Sequence, residues 1–422
     1  MRIGRLALIV VGIGLCAWPV FALDWPQWRG PQRDGISQET GLLKEWPKEG
    51  PKLLWQVDTV GFGYSTPAVA VDRIYLLGNK GKKDEFVEAL NTQDGQQVWK
   101  VRIGEVGPNL GPQYPGARGT ATVDGEALYA IGSNGDLDCM ETATGKIRWH
   151  KDLRSDFKGK PGLWAYSESP LIDGEVLVCT PGGPDATLVA LNKQTGDVIW
   201  KSAIPGADTA AYSSVMIAEV QGVKEYVQFL QKGVVGVNAK TGEYLWRYER
   251  TAQGSPANIP TPVIHETYLY NATGRGGGAL IEIKPGAEKP AQIYFSKRLP
   301  ASIGGSVEVG GNLYGTNSQG LMCADFKTGN IKWQDRCVGS ASICYADGLL
   351  YVHGEENNTV ALVKATPDGY HKEGEFTPPG TPNHSGRGPK AWAYPILANG
   401  RLYIRDLDHL WCYELRSEGG GK

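Results

Sequence analysis

The 422 residues carry a net charge of −2, so no bulk basic surface points to nucleic acid or an anionic membrane. With 57 Gly and 26 Pro against 8 Phe and 4 Met, the composition favours short strands and tight turns over packed helices. This length would ordinarily imply two or three domains unless a repeat divides it.

In chain order, Arg2 and Arg5 precede an apolar run from Leu6 to Val20, and Val20-Phe21-Ala22 offers small residues at a cleavage site. The pattern predicts a secretory signal peptide over 1–22, since the run falls short of the ~20 residues that span a bilayer. Leu15 before Cys16 is a poor fit to a lipoprotein signal, so the expected product is periplasmic or secreted without a lipid anchor. No later stretch is apolar enough to be a transmembrane segment. Residues 23–50 read as an extended N-terminal segment.

Five segments then align without gaps: ALNTQDGQQVW ending at Trp99, CMETATGKIRW at Trp149, ALNKQTGDVIW at Trp200, GVNAKTGEYLW at Trp246 and CADFKTGNIKW at Trp333. In each, a Gly stands four residues before the Trp (Gly95, Gly145, Gly196, Gly242, Gly329). The pattern is a hairpin: an apolar strand, a polar turn whose Gly takes a positive φ, and a second strand carrying the Trp. Starting from Trp55, the Trp-to-Trp steps are 44, 50, 51, 46 and 87 residues, the last being two repeats with one degenerate member. Pro285-Gly286 with Phe295 fills that gap, and Asp368-Gly369 with Phe376 makes a second degenerate copy.

Each repeat also opens alike, as in YSTPAVAVDRIYLLG or WAYPILANGRLYIRD, with a small-residue start and two further strands around a turn. Four antiparallel strands per repeat at this period predict an all-β fold, an eight-bladed β-propeller over 51–416. The last repeat stops after HLWCYEL without its Trp strand, while KLLWQVD around Trp55 is a Trp strand with no blade before it. Joined, the N- and C-terminal strands complete the eighth blade and close the ring. Residues 417–422 are left as a flexible tail, and a monomer is expected.

The A-x-[DN]-x-x-T-G-x-x-x-W repeats resemble those of the pyrroloquinoline-quinone (PQQ) repeat propellers, a superfamily that includes quinoprotein alcohol dehydrogenases and the outer-membrane assembly protein BamB. The likeness runs over roughly 50–416, and DWPQWRGPQRDG is similar to the N-terminal segment of secreted bacterial members. It implies that Trp99, Trp149, Trp200, Trp246 and Trp333, and by position Trp55, pack between adjacent blades. For function it implies either a non-catalytic binding or assembly scaffold or a PQQ- and calcium-dependent dehydrogenase acting on alcohols or sugars. The latter needs carboxylate and amide oxygens for calcium and an acid near the quinone. No Asn-Asp set follows that pattern, and the adjacent cysteine pair found beside the cofactor in such enzymes is absent from this sequence.

Six cysteines follow the signal segment, and Cys139, Cys323 and Cys412 fall in the repeat register where other copies carry Ala or Gly, so they read as small core residues. Cys337 with Cys344 is the one bridge worth weighing. The six histidines show no HxxxH or HxH spacing, so no metal site is expected. Gly-rich 274–278 reads as a flexible hairpin turn.

Loops leading into the blades converge around the axis and hold the candidate site. Tyr114, Arg118, Trp164, Tyr166, Glu168, Tyr212, His384, Arg387, Trp392 and Tyr394 are the ligand-binding candidates, and Glu168 and Asp208 the candidate acids. Aromatic faces beside a few charges suit a planar or sugar-like ligand, with Arg118 able to fork onto a carboxylate. The alternative is that these side chains fill the channel and pair with one another. A protein partner and a polysaccharide ligand both remain compatible with such a face.

Overall fold

The computed structural model describes residues 23–108, 116–206, 208–382, 384 and 390–416. The expected signal peptide and tail lie outside them, as do Tyr114 and Arg387. The described strands form eight four-stranded antiparallel sheets arranged as an eight-bladed propeller. Blades 1 to 7 take their strands in sequence order within 68–105, 122–152, 171–202, 216–248, 263–296, 306–335 and 341–376. Blade 8 combines three strands within 396–414 with Leu53–Val57, whose Trp55 pairs with Cys412. The ring is closed by the two ends of the chain, as the repeat register predicts.

A single register recurs across blades. The Trp of the outermost strand stands opposite a small residue: Ala89–Trp99, Cys139–Trp149, Ala190–Trp200, Gly236–Trp246, Cys323–Trp333 and Cys412–Trp55. Only a small residue leaves room for the indole, which explains the cysteines at these positions. All six described cysteines are free.

Five of these six indoles also donate to the next blade. Trp55, Trp99, Trp149 and Trp200 donate their Nε1 to carbonyls of Thr92, Thr142, Lys193 and Ala239 in the following turn, at 3.0–3.1 Å. Trp333 does the same to Thr366 at 2.8 Å. Trp246 departs from the rule. The blade after it has the Pro285-Gly286 turn, and its Nε1 turns back to Glu225 of its own blade at 2.6 Å.

The two degenerate blades are repaired in ways the sequence did not suggest. In blade 5 the indole position belongs to Tyr294, opposite Leu280, rather than to Phe295. The Tyr294 hydroxyl donates to the Phe326 carbonyl at 2.9 Å, reproducing the indole's bond. In blade 7 the position falls on Gly374, opposite Leu362. Trp46 from the N-terminal segment occupies the space, since a Cβ on Gly374 would lie 2.7 Å from the Trp46 Cβ. Its ring sits 5.9 Å from Tyr351, as Trp99 sits 5.9 Å from Tyr75 and Trp149 6.1 Å from Tyr129.

The rest of the N-terminal segment fills the axial channel. Trp25 pairs with Val69 of blade 1, and the Pro26 carbonyl accepts from Val123 of blade 2. Trp28 Nε1 donates to Thr261 Oγ1 beside blade 5 at 3.0 Å. The buried Arg29 guanidinium reaches Ser306 O of blade 6, and the buried Arg33 reaches Ser169 O and Pro170 O at blade 3. The chain then leaves past Tyr345 of blade 7, where Ser37 N donates at 2.8 Å. A loop touching the inner strands of blades on all sides of the axis is a plug. Guanidiniums suit the task because inner-strand carbonyls facing a channel need donors.

Arg405 seals the junction between blades 8 and 1. Fully buried, it donates to Gly61 O at 2.6 Å, Ser65 O at 2.7 Å and Leu77 O at 2.9 Å. Burial lowers its pKa to about 10, which still leaves it charged at neutral pH.

Candidate functional site

Where the blade-leading loops meet the plug, a cavity of about 310 Å³ opens on the axis. Its lining is supplied by blades 1 to 6 and 8, with Trp28 contributed by the plug. Three aromatic pairs build the walls. Trp28 meets Tyr394 edge-on at 4.7 Å, Tyr64 meets Trp392 at 4.9 Å, and Trp164 meets Tyr212 at 5.9 Å. Ile259 and Ile303 complete an apolar surface.

Each wall is held by the loop that carries it. The Tyr212 hydroxyl accepts from Trp164 N at 3.1 Å, and the Tyr394 hydroxyl donates to Ile303 O at 3.1 Å. Tyr394 N donates to Thr66 Oγ1 across the blade 8–blade 1 junction. The Trp164 loop follows the short helix Leu153–Phe157, whose N-cap Asp152 accepts from Arg154 N and Ser155 N. Lys158, in the left-handed region at φ 53°, ends that helix and turns the chain toward the axis.

Arg118 is the one cation in the lining. Its Nη1 donates to Gly116 O at 2.9 Å and its guanidinium lies 5.6 Å from the Tyr64 ring centre. Burial lowers its pKa, partly offset by Tyr64 and by Glu85. Two polar atoms at the cavity, Trp164 Nε1 and Ser167 Oγ, are buried without a hydrogen-bond partner among the described residues.

Among the sequence candidates, Arg118, Trp164, Tyr212, Trp392 and Tyr394 come together in this cavity. Others point elsewhere. Tyr166 is buried between blades, its hydroxyl donating to Pro181 O at 2.8 Å. Glu168 accepts from Thr180 N at 2.7 Å, from Thr180 Oγ1 at 2.9 Å and from Gln228 Nε2 at 3.2 Å. Burial pushes its pKa up to about 7, against those bonds and the nearby Arg33. Asp208 accepts from Thr209 N and Lys232 N, both at 3.0 Å, and pairs with Arg247 at 3.1 Å. His384 Nε2 lies 3.0 Å from the buried Asp406 carboxylate. Sequence reasoning missed Trp28, Tyr64, Thr66 and Ser167. The aromatic-rich N-terminal segment was a signal for the first, since it carries tryptophans with no strand pattern.

The donor set can be compared with what PQQ and calcium require. Calcium takes six to eight oxygen ligands, carboxylates and amides foremost. The cavity lining includes no Asp, Glu, Asn or Gln. No group of three His, Cys, Asp or Glu converges anywhere among the described residues. These residues do not fit a calcium–quinone centre.

The comparisons with known proteins agree with the repeat architecture. The family described as outer membrane protein assembly factor BamB matches residues 36–105 and 83–335, well over half of the chain. Quinoprotein alcohol dehydrogenase PedH of Pseudomonas putida is 24% identical over 288 residues, 61% of this chain and 44% of that protein. BamB of Shewanella oneidensis is 22% identical over 276 residues, 65% of this chain and 60% of that protein. The chain thus spans about half the length of these curated relatives. Among solved structures, BamB from Moraxella catarrhalis superposes with TM-score 0.60 at 14% identity, over 87% of this chain and 98% of that one. A europium-containing methanol dehydrogenase superposes with TM-score 0.65 at 10% identity, over 90% and 89%. At such identities the likeness concerns the fold alone. No helix among the described residues is long and apolar enough to cross a membrane. With its tryptophan register, its eight blades and this match, the chain belongs to the PQQ-repeat propeller family described as outer membrane protein assembly factor BamB.

Proposed function

We propose that this chain is an exported, non-catalytic propeller that binds a ligand or protein partner where the blade-leading loops converge, as a recognition or assembly scaffold of the cell envelope. The axial cavity carries the reading. It offers aromatic faces and one guanidinium, features of recognition. Catalysis would need an acid free to move a proton, and hydrogen bonds already occupy Glu168 and Asp208. Export rests on the pattern of residues 1–22. The relatives named as outer membrane assembly factors support an envelope role.

The competing reading, a PQQ- and calcium-dependent dehydrogenase, draws on the likeness to quinoprotein alcohol dehydrogenases. Incubating the protein with PQQ and Ca²⁺ and following dye-linked alcohol oxidation separates the two. The scaffold reading expects no turnover. Turnover abolished by Glu168→Gln would overturn it.

A further inference from the structure

Beside the axial cavity lies a second one of about 390 Å³, over the loops of blades 5 to 7, and Ala257, Ile259 and Ile303 line both. The two differ in character. Aromatic pairs wall the first. Along the second, Ser318 and Gln319 stand exposed, and Ser302 and Ser340 add hydroxyls. Among the described residues, neither cavity holds a buried charge in need of a counterion. Arg118 donates to Gly116 O, lies over the Tyr64 ring and feels the charge of Glu85. Glu355 pairs with Lys390 at 2.9 Å, and Lys297 and Arg298 stand exposed to water.

We propose, resting on the binding reading above, that the two cavities together take a neutral oligosaccharide, one sugar ring against the aromatic walls and the following rings along the polar trough. A sugar ring offers apolar C–H faces to aromatic rings and a rim of hydroxyls to donors and acceptors. An acyl chain would fill the cavity but leave the trough's hydroxyls and amides against hydrocarbon. The apolar side chain of a peptide would match the walls but not Trp164 Nε1 and Ser167 Oγ, which are buried there without a hydrogen-bond partner among the described residues. Sugar hydroxyls supply those partners, and the Ser167 hydroxyl turns toward them by rotation about one side-chain bond. A carboxylate on the ring gains nothing in the cavity, since its guanidinium is already engaged within the protein.

The test begins with the full chain on an array of neutral gluco-, galacto- and manno-oligosaccharides and their uronate counterparts, with calorimetry on those that bind. Neutral oligosaccharides should bind saturably, and the uronates no more tightly. Ser167→Ala and Trp164→Phe, which keeps an aromatic face, should each weaken binding roughly fivefold or more, as for one lost hydrogen bond. Neither should lower the melting temperature of the free protein, because the groups removed bond nothing in it. Ser318→Ala with Gln319→Ala should weaken a tetramer and spare a single ring, and Lys297→Glu with Arg298→Glu should change neither. Absence of neutral glycan binding by the folded protein would overturn the proposal, as would uronates binding tenfold tighter. So would affinities that Ser167→Ala and Trp164→Phe leave untouched, or saturable binding of an aromatic peptide in place of glycans. These failures leave the binding reading standing, which only PQQ-dependent turnover removes.

Discussion

The Trp99 ring lies directly beneath Gly145 of the next blade: a Cβ there would fall 2.7 Å from the ring, and the indole Nε1 bonds the Thr142 carbonyl of the same turn at 3.0 Å. The Gly and Trp of one repeat therefore do not serve each other. Gly95, Gly145, Gly196 and Gly242 receive Trp55, Trp99, Trp149 and Trp200 of the blade before, and Gly329 receives Tyr294.

Gly145→Ala should consequently cost more than Gly174→Ala. Both glycines have a positive φ, 73° and 58°, which costs an L-residue about 1–2 kcal/mol. Only Gly145 faces a ring, whereas a Cβ at Gly174 meets nothing within 4 Å. Overpacking should add about 1–3 kcal/mol at Gly145, read by urea denaturation. Equal losses would refute the docking role.

Trp46→Ala should destabilise the fold by about 3–5 kcal/mol, as much as Trp99→Ala, because both leave a hole beside a buried Tyr. A residue of an irregular N-terminal segment would otherwise be expected to cost well under 1 kcal/mol. Thermal melting of the two variants side by side decides between these.

Arg405→Lys should be destabilising despite keeping its charge. One ammonium cannot reach the Gly61, Ser65 and Leu77 carbonyls that the planar fork serves together. A loss of about 2 kcal/mol or more is expected. Because the bonds tie blade 8 to blade 1, hydrogen exchange should rise first at strands 53–57 and 396–398.

Stability should fall as pH rises from about 4.5 to 7. Glu85 and Glu168 are both buried, and burial pushes each pKa up to about 7 from 4.5. Across that window the folded state holds protons the unfolded state has released, so raising the pH favours unfolding. Glu85→Gln, which can keep bonds to Ser133 N and Oγ, should raise the melting temperature at pH 8 and change it little at pH 4. An increase at pH 4 as large as at pH 8 would contradict the assignment.

Much of the ring was legible because its rules are local in sequence: a turn Gly, a Trp four residues on, and a small residue opposite. The degenerate blades were not. Phe295 looked like the substitute aromatic, yet a bulge between Leu280 and Ile281 brings Tyr294 into register. Trp46 was invisible because it fills blade 7 from over 300 residues away, against Gly374, while Phe376 looked like the substitute aromatic. Loop candidates divided by side-chain direction: Ser167 faces the axis while Tyr166 and Glu168, on either side, turn into the blades. Sequence proximity to a site selects the loop, and side-chain direction selects the residue.

The N-terminal segment has a bearing on how the molecule can be made. Leu53–Val57 pairs only with His409–Glu414, Trp46 waits for blade 7, and Arg29 waits for blade 6. Residues early in the chain are thus among the last to be seated, and until blade 7 exists Trp46 has no cavity to enter. A chain cut short before residue 409 leaves Leu53–Val57 without its strand partner and the circle unsealed. Closure of the ring therefore waits on the strand His409–Glu414.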